Sequence, residues 1–161
     1  MNDSELYEAL VRIVDPKLLK RISSTIVIQS ENGEYTLFGK YIITKKKGLF
    51  HVCRQTDDSI RIFNTLKNAV AWITADKRQD FSDAIRIDFL DKSLGGVSFD
   101  ILLHKKLCGS TKNMDMRIIY AHKLQQDLAK QQVLTTELDG IVARLRRYQD
   151  RQFKLSTLNI Q

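Results

Sequence analysis

From Ile87 to Cys108 the residues Ile87, Leu90, Leu94, Val97, Ile101, His104 and Cys108 recur at alternating intervals of three and four. That spacing keeps one helical stripe turned toward a partner over its whole length, which is a coiled-coil seam. A second run repeats it with Ala121, Leu124, Leu128, Gln131, Thr135, Leu138, Val142 and Leu145. Between the two, Cys108-Gly109-Ser110-Thr111 has the chemistry of a helix end, so a second helix starts near Lys112 and must run antiparallel to the first. Gly95-Gly96 lies within the seam and is expected to kink or break the helix, because a glycine in a helix interior costs about 1 kcal/mol relative to alanine. Gln131 and Thr135 place polar groups on the seam, which lowers stability but can fix register or oligomeric state.

Upstream the period is two. STIVIQS is β-branched, Asn32-Gly33 signals a hairpin, and EYTLFGKYIIT sets Tyr35, Leu37, Gly39, Tyr41 and Ile43 against Phe38 and Ile42. KKKG turns the chain, LFHVCR forms another strand, QTDD turns again and SIRIF closes a meander of three to four strands. Asn64 or Thr65 then caps a helix, LKNAVAWITADK, with Leu66, Ala69, Val70 and Ile73 on one stripe and Trp72 on its flank, as core or an interdomain contact. Ahead of the sheet, DSELYEALVRIV reads as a short amphipathic helix capped by Asp3 or Ser4. Pro16 should break that element, with Lys17 to Ile22 adding a further turn. The expected architecture is α+β: a helical segment at 1–22, a sheet-plus-helix module at 23–77, a helical hairpin at 78–153 and a flexible tail at 154–161.

The 161 residues, 43% hydrophobic and 28% charged, suit an ordinary globular chain with a real core. No apolar run approaches the roughly 20 residues that span a bilayer, and the first residues are acidic rather than signal-like, so no membrane partner is expected and the protein should stay in the compartment where it is made. Two cysteines, Cys53 and Cys108, are too few for a disulfide scaffold and read as small buried hydrophobes.

No glycine-rich phosphate loop, GxSxG, HExxH or CxxC occurs, and no catalytic residue, cofactor or small-molecule substrate is expected. His51 and Cys53 on one strand, with His104 and Cys108 one helical turn apart, have the chemistry of a tetrahedral zinc set, but burial in a core explains them more simply. The net charge of +7 concentrates at Lys45, Lys46 and Lys47 and at Arg144, Arg146, Arg147, Arg151 and Lys154. Such patches suit phosphates. They also suit a protected sheet edge and a helix C-terminus, with no partner needed. Ile118, Leu134, Ile141 and Tyr148 form a stripe beside the second seam, more apolar surface than a two-helix hairpin can bury, which predicts a homodimer or larger assembly.

The segments YTLFGKYIITKKKGLFHV and FNTLKNAVAWITADK, followed by a long helical region, resemble small uncharacterised proteins of marine contractile-tailed bacteriophages. The likeness covers roughly residues 35–150, and its most specific part is the helix Leu66 to Asp76 with Ala69, Val70 and Trp72. It implies a sheet, an AVxW-type helix and a coiled hairpin, and it transfers no catalytic residue. A non-enzymatic interaction protein, as a phage accessory or virion component, is therefore the first expectation. A nucleic-acid-binding module using the two basic patches is the alternative.

Overall fold

The computed structural model of the chain describes residues 1–13, 27–29 and 33–160, leaving aside the side chains at 27–29, 149, 150 and 152–160. The expected break at Pro16, the turn from Lys17 to Ile22 and Asn32 of the first hairpin lie outside the described residues. The fold is α+β. Helix α1 (Asp3–Val11) precedes a five-stranded antiparallel meander in the order β1-β2-β3-β4-β5, followed by helices α2 (Leu66–Lys77), α3 (Phe81–Ser110) and α4 (Met114–Ile160). The strands are β1 (Val27–Gln29), β2 (Tyr35–Leu37), β3 (Tyr41–Lys46), β4 (Leu49–Arg54) and β5 (Ser59–Phe63).

The sheet has more strands than expected because EYTLFGKYIIT is two strands. Phe38 (φ 54°) and Gly39 (φ 67°) both adopt left-handed backbone, and the Lys40 amide closes the turn on the Leu37 carbonyl at 3.2 Å. Leu37 pairs with Tyr41 across an odd-numbered loop. Parity therefore survives the reversal, and Tyr35, Leu37, Tyr41 and Ile43 still bury one face together. The Lys47-Gly48 turn (φ 52° and 77°) joins β3 to β4 with the tight geometry that matches strand twist.

Helix α2 is buried almost all round, from Asn68 to Asp76, rather than along one stripe. Such a helix belongs between layers. It packs against the sheet, α1 and α3, and Trp72 is core, edge-on to Tyr41 and tilted against Phe63. Its cap is Thr65, whose hydroxyl accepts from the Asn68 amide at 3.1 Å. At α1 the cap is Asn2, one residue ahead of the expected pair, accepting from the Glu5 amide at 2.9 Å. The Tyr35 hydroxyl donates to Asp3 at 2.6 Å, and this bond together with burial pushes the Tyr35 pKa from 10.0 up to about 12. A raised folded pKa means the stabilisation is complete below about pH 10 and is lost as pH rises through about 12. Tyr35→Phe should flatten that alkaline limb of a Tm-against-pH curve; superimposable curves would show that the bond contributes nothing.

Gly95-Gly96 does not break α3, which is continuous over 30 residues. A Cβ at Gly95 would lie 2.5 Å from Asn64 Nδ2, whereas one at Gly96 would meet nothing within 4 Å. Gly95 thus lets the start of α2 approach α3, while Gly96 faces open space. Neighbouring substitutions should then have opposite signs. Gly95→Ala is expected to destabilise by about 1–3 kcal/mol through overpacking, and Gly96→Ala to stabilise by about 1 kcal/mol through helix propensity. Urea unfolding of the two variants checks this, and equal effects would contradict it. Helix α4 is also longer than expected, continuing to Ile160 through the segment read as a tail, since neither glycine nor proline follows Gly140.

Candidate functional site

Helix α3 has two apolar faces. The inner one carries Ile87, Leu90, Val97 and Ile101, which pack against α4 and the sheet module, with Ala84 and Asp91 on the side toward α2. On the opposite face Phe81, Ile85, Phe89, Phe99 and Leu103 stand 40–70% exposed, with Gly96 in line between Phe89 and Phe99. A surface helix ordinarily turns polar residues outward, and contiguous apolar patches on a folded chain mark contact sites. Beside Ile85 and Phe89 runs an open groove of about 550 Å³, also lined by Ile141. Two ion pairs strap α3 to α4 along it, Arg86 to Glu137 at 2.5 and 2.8 Å and Arg144 to Asp83 at 2.9 Å. The Arg86 guanidinium holds the Glu137 carboxylate below its ordinary range. Its charges pair with one another, so the groove supplies an apolar wall with a satisfied polar rim.

The second seam is inward-facing except at Leu128, which is exposed, while Asp127 turns inward to hydrogen-bond His104. The stripe expected beside it does not exist as one exposed surface. Ile141 is 2% exposed and Leu134 packs against the core, because α4 packs against helix α2 as well as α3. Ile118 and Tyr148 are exposed, 30 positions apart on the helix, and Tyr148 lies under the Arg78 guanidinium at 3.6 Å. The outward apolar face of α3 was legible as the spacing 81, 85, 89, 96, 99, 103, but the stronger seam on the same helix obscured it.

Among the basic residues, Lys45, Lys46 and Lys47 are exposed at the β3–β4 turn, with Lys45 5.5 Å from the Phe50 ring. Arg144 is taken by Asp83, and Arg146 is half-buried and engaged. Arg147 and Arg151 are exposed, and the Lys154 side chain lies outside the described residues. The two His–Cys pairs are held by separate elements: His51 and Cys53 on β4, His104 bonded to Asp127, and Cys108 directed at the Arg117 carbonyl. Among the described residues no three His, Cys, Asp or Glu side chains gather as a metal set. Both cysteines are half-buried rather than core.

Two buried polar clusters hold the module together. Asp76 accepts from the Tyr41 hydroxyl at 2.6 Å and from Arg54 at 2.7 Å, and Arg54 continues to Asp57 at 2.7 Å. Burial first, then the bond to Asp76, raises the Tyr41 pKa, so this hydroxyl stays a donor. Asp91 is fully buried on α3 and accepts from the Asn64 amide at 3.0 and 3.1 Å and from Asn68 Nδ2 at 2.9 Å. Each carboxylate is committed to joining elements of the fold. No family model, curated protein or solved structure matches this chain. Among the described residues no helix is long and apolar enough to cross a membrane.

Proposed function

We propose that this chain is a non-enzymatic assembly protein that docks on protein through the outward face of α3, serving as a bacteriophage accessory or virion component in the host cytoplasm. One observation supports it above the others: α3 is apolar on two opposite faces, and among the described residues only the inner one is covered. The sheet module fixes α3 in place through Asp91, so the outward face is presented on a rigid support. Ile85→Glu with Phe99→Glu tests this reading. Both side chains lie outside the core, and surface changes of this kind are usually within about 0.5 kcal/mol. The thermal midpoint should hold while association, with itself or with a stoichiometric protein partner, is lost. Unchanged association in the double variant would sink the docking role.

A second reading is nucleic-acid binding, favoured by Lys45, Lys46 and Lys47 at one turn and by Arg147 and Arg151 exposed together on α4. Phosphate contacts weaken steeply between low and physiological salt. Under the docking role, duplex DNA should release the chain by physiological salt. Firm retention that Lys45→Glu, Lys46→Glu and Lys47→Glu together abolish would favour the second reading instead.

A further inference from the structure

We propose that the outward face of α3 takes a second copy of this chain, its α3 packed antiparallel about a two-fold axis at Lys92. This rests on the docking role and names the partner. The positions 81, 85, 89, 92, 96, 99 and 103 span 22 residues in six steps, about 3.7 per turn. That is close to the natural helical repeat, so the stripe stays on one side of the helix for ~33 Å.

The stripe is complementary to its own reverse. In an antiparallel pair, position i of one helix lies beside a constant minus i on the other. With that constant at 184 to 185, Phe81 meets Leu103, Ile85 meets Phe99 and Phe89 meets Gly96, each pair formed twice by symmetry. Phe89 is 52% exposed, and the space over Gly96 is open, with nothing within 4 Å of a Cβ there. A large side chain and a vacant position therefore coincide in a single register. Lys92 would fall on the axis and face its own copy, but its ammonium is turned back into its own chain. It bonds the Ile62 carbonyl, reaches Asp88 at 2.9 Å and lies 4.8 Å from the Phe63 ring. Its aliphatic stem is what the axis would meet. A chemically different partner would have no reason to find bulk and gap spaced symmetrically about one residue.

Cross-linking with a short bis-maleimide reads the register in a Cys53→Ser, Cys108→Ser background. Ile85→Cys chains mixed with Phe99→Cys chains should join. Neither should join to itself, since like positions lie ~21 Å apart along the antiparallel pair. Gly96→Leu needs no altered background: it should weaken dimerisation at least tenfold while leaving the thermal midpoint of dilute protein unchanged or higher, an outcome that a purely structural role for Gly96 does not produce. Self-linked Phe99→Cys, an unweakened Gly96→Leu dimer, or a strict monomer would each overturn the proposal. A monomer whose stoichiometric partner is lost in Ile85→Glu with Phe99→Glu would overturn the second copy alone and leave the docking role standing.

Discussion

Asp91→Ala is expected to cost about 3–5 kcal/mol, the range for leaving buried partners of a charge uncompensated. Asp91 is 0% exposed and receives the Asn64 amide, the Asn68 side chain and, at 3.5 Å, the Lys92 ammonium. Alanine would leave the buried Asn68 carboxamide without this acceptor and take away the acceptor of the Asn64 amide. It would also release Asn64, whose position against Gly95 sets the approach of α2 to α3. For a chain of this size about 2–4 °C of Tm accompanies each kcal/mol, so the midpoint should fall by roughly 6–20 °C. Asp91→Asn retains an acceptor and should cost less. A loss under about 1 kcal/mol for alanine, measured by urea unfolding at fixed protein concentration, would mean that water or a rearranged side chain satisfies the cluster.

Leu138→Ala should cost about 2–5 kcal/mol, transfer plus cavity, because Leu138 is buried where α4 crosses the inner face of α3. Leu94→Ala should cost less, since Leu94 is only partly buried at the edge of the same core. The order of the two decides more than either value. If Leu94 proved the more costly, the hairpin would be packed through a different face from the one described.

Much of the fold was readable because period is a physical consequence of geometry. The three-four spacing from Ile87 to Cys108 faces inward along its whole length, and the period-two alternation of Tyr35, Leu37, Tyr41 and Ile43 marks the buried sheet face. The errors came where a local rule met a tertiary contact. Phe38-Gly39 reverses the chain without disturbing parity, so alternation alone could not reveal the turn. Gly95-Gly96 looked like a helix breaker, yet one glycine makes room for Asn64 and the other stays open. Asp91 sits within a helix whose pattern explains its apolar neighbours, and only the fold shows that Asn64 and Asn68 converge on it.

The outward surface was less legible. Residues on the α4 stripe were apolar enough to suggest an interface, but Ile141 is buried in the core that α4 shares with α2 and α3, an arrangement no helical periodicity encodes. Once α3 is seen to be covered on one side by the described residues, Phe81, Ile85, Phe89, Phe99 and Leu103 stand out as exposed apolar residues of the other side.

The most direct test is the mass of the chain in solution by light scattering over a concentration series, wild type beside Phe99→Glu. Pairing through α3 predicts twice the 18.6 kDa chain mass at high concentration, falling toward one chain on dilution, with Phe99→Glu at one chain throughout. A mass that Phe99→Glu leaves unchanged at every concentration would contradict it.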